Sequence, residues 1–394
     1  MKQKIIVVFG SLAVLLGGVA WMTRPAPPEE EVDVLSGWRK PLTVRPVAPS
    51  QDRHTIHAYF NTCPESPDGR WVVYYSSGAP DSHQGEIRIL QRATGEERTI
   101  ARGLTVEDAH RAACQQWISG GRRVVFHDFR DGHWVVAAVD INTLEERVLA
   151  RDRMVGWGQP RSNLVPIYGP HYDRAAFKDL ELLDVESGER RTVLKAAEVR
   201  KAYPELVASK YADRDFSIYF PILSPDRGRV FFKLAAPSGG DFRSKTASSR
   251  HLIVVYDIAK PQFLFGHENW GHPAWHPDSR HIINVGPVLI DSEAQSIEPV
   301  PGLPRFPGSH PSFSPDGALF TTDTRVGTEG RWGVVVGDVR GGRHELVHTF
   351  DNSKGAASWR VSHPHPVFSA DGRRVYFNVN ATQWTQLHVA ERAD

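Results

Sequence analysis

Cysteine and methionine are both scarce, at two and three residues in a chain of 394. The cysteines, Cys63 and Cys114, have no CxxC spacing, which excludes a thiolate metal knuckle and leaves either one disulfide or two buried thiols. Charge of one sign is missing too: 47 Lys and Arg meet 46 Asp and Glu, for a formal net charge of +1. Such a balance gives no general attraction to nucleic acid or to an anionic membrane, so nucleic acid is not an expected partner. Helix-favouring runs of Ala, Leu, Glu and Lys are few. A GxSxG nucleophile elbow, a Walker phosphate loop and a sialidase-type Asp box are all absent.

One apolar run stands out. Lys2 and Lys4 precede an uncharged stretch from Ile5 to Met22, with Gly18 and Ala20 as small residues near its end. This is the pattern of an export signal, and it is also just long enough to remain in a bilayer as a single anchor. No cysteine lies near it to carry a lipoprotein anchor. Residues 1–24 are therefore expected to be a signal peptide or anchor, 25–36 a Pro/Glu linker that cannot pack a core, and 37–394 the folded domain. The location implied is the periplasm, free or tethered to the membrane by this segment alone, and a monomer is expected.

What the sequence does have is glycine (33), proline (28), tryptophan (11) and many short Val-rich segments, a balance that favours short strands joined by turns. An aromatic-x-x-Asp-Gly phrase followed by a β-branched or aromatic run recurs along the chain. It appears as PESPDGRWVVYY (64–75), QQWISGGRRVVF (115–126), PILSPDRGRVFF (221–232), PAWHPDSRHII (273–283), PSFSPDGALFT (311–321) and PVFSADGRRVYF (366–377), with a weaker copy, QPRSNLVPIY, at 159–168. Each copy has the signature of a β-hairpin. Most are followed by a second hairpin, as in EIRILQRATGEERTI (86–100) and LELLDVESGERRTVL (180–194). Two hairpins per unit make a four-stranded blade, and seven units predict an all-β fold, a seven-bladed β-propeller. The stretch 195–215 breaks the pattern with the apolar spacing of a short helix.

Aligned on their turns, three consecutive units place a histidine at one position: His272 in HPAWHPD, His310 in HPSFSPD and His365 in HPVFSAD, with His363 two residues before the last. The strand that opens each unit is usually innermost in a propeller, so these imidazoles ring the axis. Neutral imidazole on rigid strands suits a divalent transition ion. Strand alternation would point His363 and His365 to opposite faces, unless Pro364 and Pro366 bend the segment. The alternative is a structural cap, with each imidazole bonded to backbone carbonyls of the next blade.

The segments GHPAWHPDSRHI and SHPHPVFSADGRRVYF resemble those of the oligogalacturonate lyase family of seven-bladed propellers. In that family a Gly-His before an aromatic and a late His-Pro-His bind a catalytic divalent metal, typically manganese. The resemblance implies His272, His363 and His365 as metal ligands, with His310 matching a further family histidine; zinc or iron would also suit such a set. Two positions depart from the family: Arg360 stands where a glutamine ligand is found, and Lys233 where the catalytic base histidine is found. Arg360 is accordingly assigned to substrate binding.

A uronate lyase removes the proton at C5 and expels the sugar linked at C4, which calls for a cation at the C6 carboxylate and a base near C5. Lys233 is the candidate base by position. His127, in VVFHDF, is the second choice, with a polar strand end as its bland counterpart. Arg214, Arg243 and Lys245 could clamp a substrate carboxylate or form a solvated basic loop. His110, Gln115 and Gln116 could bond sugar hydroxyls or satisfy backbone groups between blades. The expected function is thus a metal-dependent lyase of acidic oligosaccharides. Its rival is a non-catalytic propeller of the Tol-Pal type, whose repeats look similar and which acts as a protein- or glycan-binding scaffold.

Overall fold

The structure is a computed structural model describing residues 33–244, 246–308, 310–355 and 362–393. Lys245, Arg360, the signal or anchor segment and most of the expected linker lie outside these residues. Among the described residues, no helix is long and apolar enough to cross a membrane.

The recurring Ser-x-Asp turn explains where the strands form. In the first copy the Ser66 hydroxyl donates to Asp68 Oδ1 at 2.6 Å and accepts the Trp71 N–H at 3.0 Å. Gly69, at φ +72°, takes the left-handed corner, which glycine occupies without steric cost. The same bonds recur at Ser224 with Asp226 and Arg229, at Ser314 with Asp316 and Leu319, and at Ser369 with Asp371 and Arg374. In HPDSRH the His276 imidazole replaces the serine, its Nδ1 accepting the Asp278 N–H at 3.1 Å.

Each turn returns the chain as an antiparallel partner. Ser217–Leu223, Arg229–Pro237, Ser248–Asp257 and Gln262–His267 pair in chain order to make one blade. Four more four-stranded sheets, over 116–151, 154–194, 274–299 and 312–351, have the same order. The eight remaining strands form one sheet with two halves. In one half Val367–Phe368, Arg374–Val379 and Gln386–Arg392 take the N-terminal strand Leu42–Pro46 on their outer edge, in register from Leu42 opposite Arg392 to Pro46 opposite His388. In the other, His54–Ile56, Trp71–Ser77, Gln84–Gln91 and Glu97–Thr105 pair in order. The single parallel pair Thr55 with Gln386 joins the halves. The sheets pack face to face around an axis as a β-propeller, their buried aliphatic and aromatic residues filling the seams.

The insertion at 195–215 forms two helices where one was expected: α1 spans Ala196–Ala202 and α2 spans Pro204–Tyr211. Pro204 is the cause, since its ring restricts Tyr203 and fits the first helical position. The packed chain also begins ahead of residue 37, with Leu35 and Trp38 buried against the last blade. Cys63 and Cys114 are free thiols with no disulfide between them, and burial pushes the Cys114 thiol up to about 12.

An ion pair buried in the two-part sheet ties its halves together. Glu65 accepts both Nε and Nη2 of Arg374 at 2.9 Å, and the Tyr376 hydroxyl, while Arg374 Nη1 reaches Glu391 at 3.1 Å. Truncating Arg374 leaves the buried Glu65 carboxylate only the Tyr376 hydroxyl and the more distant Arg92, at 3.6 Å. R374M is therefore expected to cost about 3–5 kcal/mol in urea unfolding, whereas a loss under about 1 kcal/mol would mark the pair as an exposed-type contact.

A second stability effect is tied to pH. His127 is enclosed in the second blade, its Nδ1 accepting the Val155 N–H at 3.3 Å, and burial holds its pKa down to about 3. The unfolded chain takes up that proton near pH 6.5 and the folded chain resists it, so this contribution is intact above pH ~6.5 and is lost as pH falls toward 3. H127Q keeps an acceptor and removes the proton. Its unfolding free energy should fall less steeply than wild type between pH 6 and 4, by about 1.4 kcal/mol per pH unit, measured by denaturant titration at each pH.

Candidate metal centre

Five histidines converge at the axis from four separate stretches of chain. Nitrogens of His110, His363 and His365 lie within 4.8 Å of one another. His363 Nδ1 is 3.3 Å from His310 Nε2, and the His272 and His310 rings lie 4.1 Å apart between centroids. His310 and His365 rings are 4.7 Å apart. The four histidines expected from the repeats do meet. His110, assigned to sugar binding on sequence grounds, joins them.

Local backbone geometry makes the convergence happen. His365 adopts φ +48°, an uncommon left-handed conformation for a non-glycine residue, between two prolines that fix their own φ. The turn cancels strand alternation, so His363 and His365 reach one cluster instead of opposite faces. Gly271, at φ +74°, performs a related turn before His272: a Cβ there would fall 2.2 Å from Asn284 Oδ1, the atom that accepts the His272 N–H at 2.6 Å.

A buried carboxylate orients one member of the cluster. Asp323, at the end of a strand in the blade of His310, accepts His310 Nδ1–H at 2.8 Å and the His310 backbone N–H at 2.8 Å. With its proton on Nδ1, His310 presents Nε2 as a lone pair, the carboxylate–histidine arrangement that supports metal ligation. Burial pushes the Asp323 carboxyl up to about 7, against the pull of His363 and the His310 N–H. Burial, together with neighbouring imidazoles, holds His365 well below the ordinary histidine range, so it is neutral near pH 7. Both ring nitrogens of His365 are buried with no hydrogen-bond partner among the described residues. Converging imidazoles, with a buried nitrogen pair on neutral His365 left without a partner among the described residues, are what a borderline divalent ion requires, so these residues fit the metal implied by the resemblance.

The floor of the site was not foreseen. Tyr59 and Phe60, in the loop after His54–Ile56, fill the axis beneath the imidazoles: the Tyr59 ring is 4.5 Å from His365 and stacks at 5.7 Å on Trp157, and Phe60 is 5.5 Å from His310. The axis here is an aromatic plug, not an open channel.

Beside the cluster is a cleft lined by His110, His272, Lys233, Arg111, Arg250 and Trp270. Lys233 lies over the Trp270 ring with Nζ 4.0 Å from its centroid. Of the other expected residues, Gln116 is used between blades: its Nε2 donates to Gly156 O at 2.8 Å and its Oε1 accepts the Gly158 N–H at 2.8 Å. Gln115 Nε2 donates to Ile56 O at 2.8 Å. His127 does not line the cleft. Arg214 lines a separate depression and donates to the carbonyls of Lys210 and Tyr211, and Arg243 lies over Phe242. Arg111, Arg250 and Asp323 were missed. Their sequence signal is weak, because single charged residues outside the repeat phrase look like ordinary surface.

No family model matches this chain, and no curated protein matches it. Solved structures do. An oligogalacturonate lyase from Vibrio parahaemolyticus superposes with a TM-score of 0.62 at 14% identity, covering 89% of this chain and 93% of that one. An oligogalacturonate lyase in complex with manganese gives 0.58 at 16% identity, covering 90% and 97%. The β-propeller domain of Cps50 (Swd1) from Myceliophteria thermophila gives 0.52 at 10% identity, covering 90% and 100%. At such identities the likeness is one of fold, and the fold is the β-propeller.

Proposed function

We propose that this chain is an exported, metal-dependent lyase that cleaves uronate-containing oligosaccharides by β-elimination, on a propeller whose eight-stranded sheet counts as two of seven blades. The observation that carries the reading is the set of five converging histidines, with His310 held by Asp323, beside a cleft lined by Arg111 and Arg250. His110, His310, His363 and His365 would hold the ion, with His272 at its edge. A bound divalent cation, manganese for preference, would neutralise a substrate carboxylate and make the adjacent C–H more acidic.

The chain's own residues would supply the rest. Lys233, in its neutral form, takes the C5 proton; the electron pair forms the C4–C5 double bond as the C4–O bond breaks, and the departing sugar oxygen takes a proton. Trp270 offers the face of a sugar-sized platform under the reacting ring. Tyr59 and Phe60 exclude water from below, which strengthens every electrostatic contact above them.

Two measurements test this. Elemental analysis of the purified full chain should find about one manganese, zinc or iron per molecule, lost in the H363A/H365A double variant; a metal-free, folded wild type would leave the imidazoles as caps. With manganese supplied, wild type should generate unsaturated uronate from oligogalacturonates, followed by ultraviolet absorbance. K233M should keep its metal and lose about 10²–10⁴ in kcat, and undiminished turnover in K233M would remove Lys233 from the role of base.

A further inference from the structure

Behind the cleft lies a buried polar chain that the metal centre does not use. Arg111, 4% exposed, donates Nη2–H to Glu107 Oε2 at 2.8 Å. Glu107 Oε1 is 3.2 Å from His171 Nε2, His171 Nδ1 is 2.8 Å from Ser248 Oγ, and Arg250 Nε donates to that same hydroxyl at 3.0 Å. Glu107, His171 and Ser248 are all buried. The chain begins and ends in a guanidinium, and both guanidiniums reach one cleft. They also share the Tyr219 ring, at 6.0 Å from Arg111 and 5.2 Å from Arg250.

Arg111 and Arg250 bring two permanent cations to the lining of the cleft, and no acid lines it among the described residues. Burial holds His171 down to about 4 despite Glu107, so it adds a neutral link near pH 7. Arg111 Nη1 is buried with no hydrogen-bond partner among the described residues, a costly state for a charged donor unless a ligand in the cleft supplies an acceptor. Two fixed guanidinium forks recognise planar oxyanions best, and the aromatic faces of Tyr219, Phe220 and Trp270 around them suit a ring more than a bare ion.

We propose that Arg111 and Arg250 form a carboxylate clamp for a second sugar acid, next to the one held at the histidines, with Glu107, His171 and Ser248 as positioning residues. The smallest good ligand is then a di-uronate with both carboxylates free. This rests on reading the cleft as a sugar-acid site, but it makes no use of the ion or of the elimination step.

The test is calorimetric titration of the full chain after chelation of metal, with digalacturonate, its methyl ester and sulfate as probes. Wild type should bind the free acid and bind the ester and sulfate at least about tenfold more weakly. R250Q should weaken digalacturonate about tenfold, and S248A, which only releases Arg250 and His171, about threefold. Denaturation midpoints and manganese content of both variants should match wild type. Wild-type affinity in both variants overturns the clamp, as does equal affinity for the ester, equal affinity for sulfate, or no binding of the acid by wild type. Digalacturonate binding that depends on Arg250, in a protein that yields no unsaturated product with manganese, would keep the clamp and sink the lyase. Full turnover in R250Q and S248A would do the reverse.

Discussion

Closure of the ring is the constraint on which everything else depends. His110 comes from the approach to the second blade, while His363 and His365 come from the approach to the last, some 250 residues later. Their nitrogens meet only because the last blade is held beside the first. Three devices hold it: the N-terminal strand Leu42–Pro46 along Gln386–Arg392, the parallel pair of Thr55 with Gln386, and the buried pair of Glu65 with Arg374. Long-range closure costs chain entropy that local hairpins do not recover. A strand borrowed from the far end of the chain returns a ladder of backbone pairing and covers the outer edge of Gln386–Arg392.

Given a closed ring, the site follows from departures at strand starts. The left-handed turns at His365 and Gly271 are backbone conformations that the regular repeat would avoid, and backbone of this kind tends to persist where surrounding structure over-determines it. Here the surroundings are Pro364 and Pro366 on one side and the Asn284 amide on the other. The aromatic plug adds a second condition. Above Tyr59 and Phe60, burial holds His365 well below the ordinary histidine range, and the neutral imidazole is the form that ligates a cation.

Much of the fold is legible because each blade is specified locally. A Ser-x-Asp turn and the two strands it joins lie within about a dozen residues, a range over which pattern and turn chemistry agree. The three histidines in register are legible for the same reason: each sits at a fixed distance from its own turn. His110 escapes that logic because the second copy, QQWISGG, lacks the His-Pro step, and its histidine arrives from a buried loop upstream. Arg111 and Arg250 escape it more completely. Their meeting depends on Glu107, His171 and Ser248, drawn from three blades, and no spacing in the sequence links them. The DFRSK loop, a more conspicuous basic cluster, contributes no described residue to the lining of the cleft.

The two halves of the site answer opposite electrostatic problems. At the axis, burial suppresses charge: His365 is held well below the ordinary histidine range, and Asp323, itself pushed toward neutrality, hydrogen-bonds His310 into place. In the cleft, permanent charge is retained, since a guanidinium cannot shed its proton and can be kept near the interior only by a partner such as Glu107. A ligand with two carboxylates complements both at once. One carboxylate would meet the charge that an ion brings to the imidazoles, and the other would meet charge the protein already holds. A neutral sugar could use neither, so under the proposed function acidity, more than sugar shape, is the property the site would select.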